Sequence, residues 1–240
     1  MRFAAWNLNH RAGYVPFQPD AVEAAISLDA DIIVFTEYFP RQYAEAFEAR
    51  LESAGWCHQL KTPAPPSPRE KFNHTLIASR HPLVLEQLPL PFFDHQLPAN
   101  ALLVHIPHWD LRLLGLRVPA YTGVDRPLIR KSWEWVEQAA ALLRQDRALI
   151  VGDLNCEPAS PPGKGGDIFR RVLSTGWHHG TPAGPSFFSK QGHCTTPDQV
   201  LYTTAVRVHS ASFQTELGNH QLAGGQKAIS DHAALVFTLG

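Results

Sequence analysis

Cysteine is scarce: Cys57, Cys156 and Cys194 are the three in the chain. Three cannot build a disulfide framework, and none stands in a CxxC pair, so a cysteine-built zinc site is excluded as well. No window approaches the roughly 18 apolar residues needed to cross a bilayer. An excess of charge is also missing, with 21 lysines and arginines against 22 aspartates and glutamates. A protein that grips nucleic acid through many phosphates usually carries a basic surface. The balance withdraws that argument, although it leaves room for a local basic groove. The opening residues, MRFAAWNLNH, lead straight into a strand pattern rather than the charged start and long apolar stretch of a signal peptide. A reducing, cytoplasmic setting is therefore the expectation. Neither an internal repeat nor a linker between two cores is visible, so residues 1–240 read as one domain.

The 240 residues are 44% hydrophobic and 18% charged, enough apolar material for a substantial core and too little charge for disorder. Arg2–Leu8 reads as a short buried strand. Asp20–Leu28 has apolar positions at helical spacing, with Asp20 as a plausible N-cap. Asp31–Thr36 (DIIVFT) is a β-branched run too short for a helix. Arg41–Ala54 reads as a second helix, stopped by Gly55. Lys61–Lys71, with four prolines, is an expected exposed loop. Short apolar runs near His74–Ser79, Ala101–Ile106 and Leu111–Val118 suggest a sheet meander. Pro127–Arg144 is the strongest helix, with proline near its start. Ala148–Val151 is a buried strand ending at Gly152–Asp153, and Glu157–Gly166 is a second proline- and glycine-rich loop. Asp167–Ser174 forms a short helix, and Ala233–Leu239 closes the chain as a strand. The economical architecture is an α/β sandwich of four layers, two mixed β-sheets packed face to face with helices outside.

Polar residues recur where buried strands stop: Asn7, Glu37, Asp153 with Asn155, Asp198, and Asp231 with His232. Strands hold such groups rigidly and can aim several carboxylates at one point, as a hard cation requires. Magnesium takes oxygen ligands at about 2.0–2.1 Å, keeps several waters and is commonly held by one or two carboxylates plus substrate phosphate. Such an ion polarises a phosphoryl oxygen, activates water and screens a leaving oxygen.

In order, the motifs are WN (Trp6–Asn7), TE (Thr36–Glu37), SRHPL (Ser79–Leu83), GDLN (Gly152–Asn155), PDQVLY (Pro197–Tyr202) and SDH (Ser230–His232). Spaced in this way over nearly the whole chain, they resemble the endonuclease/exonuclease/phosphatase superfamily of metal-dependent phosphoesterases. GDLN and the terminal SDH are the most specific. The resemblance implies a magnesium-dependent phosphoester hydrolase, with manganese as a substitute ion. Glu37 would be the principal metal ligand, Asn7 would stand beside it, and Asp231 would complete the shell. Asp153 would orient or deprotonate water, and Asn155 would hydrogen-bond a phosphate oxygen. His232 would meet the phosphate as acid, base or charged stabiliser, with Asp198 fixing its tautomer. A carboxylate beside imidazole favours the protonated form on physical grounds as well. Either Asp153 or His232 could take the proton; Asp153 is preferred. Arg117 stands where the family often has histidine or tyrosine, and its fork suits phosphate binding. Asn9 replaces a common aspartate, and His74 a common glycine.

Simpler roles compete. His105, His108, His178 and His179 lack partners at zinc spacing, so surface or core roles are expected. Cys156 reads as packing beneath the site, and Ser79 and Ser230 are not triad serines, since neither sits in GxSxG. Surface roles are the commoner fate of Arg80 and Arg126. Of Trp133 and Trp135, which do not share a helix face, one should pack and the other half-expose. The expected substrate is a phosphate ester. Phosphodiesters lead, nucleic acid among them, ahead of a small phosphorylated metabolite or lipid headgroup. A non-catalytic binding protein on the same scaffold is the alternative from another class.

Overall fold

In a computed structural model, residues 1–10, 14–40, 43–63, 72–92 and 96–240 are described. The first half of the chain supplies β1 (Arg2–Asn7), α1 (Ala21–Ser27), β2 (Ile32–Tyr38), α2 (Ala44–Ser53), β3 (His58–Lys61), β4 (His74–Ser79) and β5 (Val84–Glu86). There follow α3 (Leu97–Asn100), β6 (Ala101–Ile106), β7 (Leu111–Leu116), α4 (Leu128–Leu143), β8 (Ala148–Asp153), α5 (Gly166–Ser174) and β9 (Trp177–His179). The last part holds the ribbon β10 (Phe187–Phe188) and β11 (Cys194–Thr195), then β12 (Asp198–Thr203) and β13 (Val208–Gln214). It ends with the ribbon β14 (Glu216–Leu217) and β15 (His220–Gln221), and with β16 (Ala234–Leu239).

Two six-stranded sheets result, ordered β13-β16-β1-β2-β4-β3 and β5-β6-β7-β8-β12-β9. Both are mixed: β1 runs parallel to β2, and β7 to β8, while the remaining pairs are antiparallel. Each parallel pair is joined through a helix, α1 and α4 respectively, as a parallel crossover requires.

Alternation along each strand sorts side chains between two layers. Phe3 and Ala5, Ile32 and Val34, Leu149 and Val151, and Val200 meet between the sheets. Ala4 and Trp6, with Ile33 and Phe35, pack instead against α1 and α2. Ala148, Ile150 and Leu201 pack against α4 and α5. The result is the expected helix–sheet–sheet–helix sandwich. Because both faces of the central strands are covered, their sequences read as unbroken apolar runs.

Several expectations need correction. Trp133 and Trp135 are both buried. Trp133 leans on Phe169, and Trp135 is covered by Phe92, whose ring stacks on it at 5.5 Å. Asp20 occupies the N-cap position of α1, but its side chain makes no cap bond. Lys61 is not loop but the last residue of β3, paired with Leu76, and Thr62 is buried. The rest of that expected loop from 64 to 71, and the start of the expected second helix at Arg41 and Gln42, lie outside the described residues.

Candidate active site

The inter-sheet core layer turns polar at one edge. Asn7 continues the face of Phe3 and Ala5, Asp153 that of Leu149 and Val151, and Asp198 that of Val200. All three are buried, and Asp153 and Asp198 sit opposite each other in the β8–β12 register. Glu37 should by the same alternation follow Ile33 and Phe35 to the helix face. A register shift between Phe35 and Tyr38 intervenes, and Glu37 has φ 49°. An extra residue of this kind re-aims a side chain. Here it turns Glu37 towards the second sheet, where Arg117 lies just past β7. Among the described residues, five that are not glycine have positive φ, and Asn9, Glu37 and Asn155 are three of them. Local strain therefore gathers at this edge, at a cost of order 1–3 kcal/mol per residue.

Asp153 is held from several sides. Asn7 Nδ2 donates to its Oδ2 at 2.9 Å, and the Asn155 backbone N–H to its Oδ1 at 2.9 Å. Asn155 Nδ2 reaches the same Oδ2 at 3.3 Å and Val118 O at 2.7 Å, while Arg117 Nε stands 3.6 Å away. Both side-chain amide hydrogens of Asn155 are thus engaged; contact with a phosphate oxygen would require it to release one. Arg117 pairs chiefly with Glu37, Nη2 at 2.7 Å and Nε at 2.9 Å from Oε1.

A second network carries the histidine. His232 Nδ1–H donates to Asp198 Oδ2 at 2.8 Å, which leaves Nε2 facing the site, 3.8 Å from Asp231 Oδ1. Ser230, no nucleophile, is a tie: its hydroxyl donates to Asn7 O at 2.7 Å and accepts the His232 N–H at 3.0 Å. Trp6 Nε1 donates to His232 O at 2.9 Å. The first and last motifs are thereby stitched together.

Burial opposes charge on His232, but Asp198, with Asp153 and Asp231 beyond it, outweighs that and holds its pKa up at about 9. Burial pushes Asp153 up to about 6, with His232 and Arg117 pulling the other way. At neutral pH the edge presents an imidazolium opposite a carboxylate. Burial raises the Cys156 thiol to about 11, so it stays a packed thiol.

The donors available to a metal are the carboxylates of Glu37 and Asp231 and the amide oxygen of Asn7, which also accepts from the Asn9 N–H at 2.8 Å. An all-oxygen set suits a hard cation better than zinc. Among the described residues no group of three or more His, Cys, Asp or Glu side chains forms a ready metal cage. A partial shell is what an ion completed by water and substrate needs. The expected surface histidines hold no such cluster either: His105 pairs with Asp110, and His108 stacks on His81. Arg80 lies over the Trp56 ring and pairs with Asp29. His74 is a buried partner of Thr62.

The model of the Endonuclease/Exonuclease/phosphatase family matches residues 4–232. The chain belongs to this family. Its members are hydrolases of phosphoesters, among them nucleases, phosphatases and phosphodiesterases, and they generally use divalent metal ions. No curated protein matches the chain by sequence. Among solved structures, the 3' phosphatase NExo from Neisseria, bound to a product DNA hairpin, is 17% identical with TM-score 0.73, covering 100% of this chain and 99% of that one. An AP endonuclease from Archaeoglobus fulgidus is 17% identical with TM-score 0.71, covering 99% and 98%. Humanized D. rerio TDP2 is 13% identical with TM-score 0.68, covering 100% and 98%. At such identities these likenesses establish a shared fold. Among the described residues no helix is long and apolar enough to cross a membrane.

Proposed function

We propose that this family member is a magnesium-dependent phosphodiesterase of the nuclease-like kind, with manganese able to replace magnesium. The observation that carries the reading is the opposition of Asp153 and His232 across one buried edge, each fixed in the charge state that hydrolysis needs. Asp153, with a pKa near 6, suits a general base operating near neutrality. His232, held protonated by Asp198, is poorly suited to take a proton and well suited to donate Nε2–H to a phosphoryl oxygen. This favours Asp153 over His232 as the base. Asn7 and Asn155 orient Asp153, and Arg117 supplies a fork within reach of both carboxylates.

Glu37, with Asn7 and Asp231, would hold the cation, which when bound polarises a phosphoryl oxygen and screens charge on the leaving oxygen. The neighbours named as acting on DNA keep nucleic acid among the candidate substrates. The near-balanced charge of the chain supports a second reading, hydrolysis of a small phosphorylated metabolite.

The test compares a chromogenic phosphodiester with its monoester, with and without chelator. Activity greater on the diester, lost with chelator and in Glu37→Gln, is the expected result. Asp153→Ala and His232→Ala should each lower turnover by a factor of about a hundred or more. Losses below about tenfold in both would remove them from the reaction. No hydrolysis of any ester with either metal would leave a non-catalytic binding protein.

A further inference from the structure

A cleft of about 300 Å³ opens beside His232 and Asn155, and neither Glu37, Asn7, Arg117 nor Asp231 lines it. It therefore leads away from the His232–Asn155 side of the centre. A phosphodiester carries two organic groups, one that leaves and one that stays. The leaving oxygen gathers negative charge and belongs near the cation, at Glu37. The group that stays needs room elsewhere, whereas a monoester needs none. At the small end of ligand pockets, this cleft has space for one sugar with its base rather than a stretch of polymer.

Both walls are built. Phe187 stands 5.1 Å from the His232 ring, centroid to centroid, and its ribbon is sewn to the SDH segment by Phe188 N–H to Asp231 O at 2.8 Å and Ala233 N–H to Ser186 O at 2.7 Å. The facing wall is a single helical turn, Pro162–Lys164. The chain just after it is tightly packed: a Cβ on Gly165 would lie 2.1 Å from the Trp133 ring and one on Gly166 1.8 Å from Ser160 O. The turn presents Lys164 to the cleft, exposed and outside any ion pair among the described residues. Glu157 lines the cleft too, without pairing to Lys164.

We propose that this cleft holds the group that stays on phosphorus, that the group is the size of one nucleoside, and that Lys164 binds a second phosphate carried by it. The proposal rests on the hydrolytic reading above. Water's oxygen bonds to phosphorus and one of its protons passes to Asp153. The bond to the leaving oxygen breaks, that oxygen takes a proton from solvent, Asp153 returns its proton to solvent, and the products are an alcohol and the monoester of the retained group.

Three esters that share p-nitrophenolate as leaving group test this: one retains methyl, one thymidine, and one thymidine bearing a further phosphate on its other hydroxyl. kcat/KM should rise about tenfold from methyl to thymidine, and about five- to tenfold again with the added phosphate, as one charge-assisted contact at an exposed site allows. Lys164→Gln should abolish the second rise alone and leave the methyl ester unchanged, and Lys164→Arg should retain it. Equal kcat/KM for all three esters, or a second rise that survives in Lys164→Gln, overturns the proposal. If no ester is hydrolysed, the hydrolytic reading fails, and calorimetry with thymidine bisphosphate and monophosphate then decides the cleft. Preference for the bisphosphate that is lost in Lys164→Gln upholds the assignment; equal affinity overturns it.

Discussion

At His232 two effects of burial compete. Loss of water disfavours the imidazolium, yet among the described residues the equally buried Asp198 makes no other ion pair, and a proton between them satisfies both. Activity that needs Asp153 ionised and His232 protonated should rise with pH through about 6 and fall through about 9. Asp198→Asn removes the carboxylate and leaves the burial, so the alkaline limb should move to lower pH; kcat/KM profiles of both proteins check this. Arg117 is the residue whose part was least legible from the sequence. Its strand-end position suggested phosphate, but its partner Glu37 lies 80 residues away in the other sheet, and no local pattern encodes that pairing. On the proposed reading, the guanidinium that would grip phosphate also competes with a metal for Glu37. Arg117→Gln should accordingly tighten magnesium binding by about tenfold in calorimetry without substrate, the effect of one like charge removed from a partly buried site. Unchanged or weaker binding would show that the ion pair does not compete.

Among the elements, β1, β2 and β8 could be read from their apolar runs because both faces are covered, and GDLN could be placed because it follows such a run. Parity along the strands also explains why Asn7, Asp153 and Asp198 meet. Parity misplaces Glu37, since the shift that turns it depends on how β2 pairs with β4, and a single strand does not record its partner. The expectation that one of Trp133 and Trp135 would half-expose failed for a similar reason: helical geometry fixes their directions, while the Phe92 segment that covers Trp135 comes from far upstream. Gly152 is required by backbone. Its φ is 139°, and a Cβ would lie 2.2 Å from Leu116 O in the adjoining strand. Gly152→Ala should cost more than about 2 kcal/mol, the range for strain at a special backbone position, and denaturant midpoints measure it. A loss under about 0.5 kcal/mol, typical of an unconstrained site, would mean the strands simply part.

For the molecule as a whole, the succession of apolar runs was enough to give the sandwich, and WN, TE, GDLN, PDQVLY and SDH put their polar residues at one edge, whereas SRHPL lies at the opposite edge, with Ser79 beside Ile32 at the start of β2. The cleft was not legible, being assembled from a turn and a ribbon that carry no common motif. His10 limits how the whole fold tolerates acid. Its ring is buried, neither nitrogen has a hydrogen-bond partner among the described residues, and burial lowers its pKa from 6.5 to about 4 against the pull of Glu37. The unfolded chain binds this proton first, so the contribution of neutral His10 to stability is complete above pH 6.5 and falls as pH drops towards 4, by about 3 kcal/mol. Urea midpoints of the parent and His10→Phe across that window test it; parallel curves would assign the acid loss to other groups. The bonds from Trp6 to His232 and from Ser230 to Asn7 carry a further consequence. During translation Glu37 and Asp153 leave the ribosome well before the SDH segment exists, and β16 must still dock beside β1 to seat it. On the hydrolytic reading proposed above, the nascent chain would stay inert until β16 has docked beside β1.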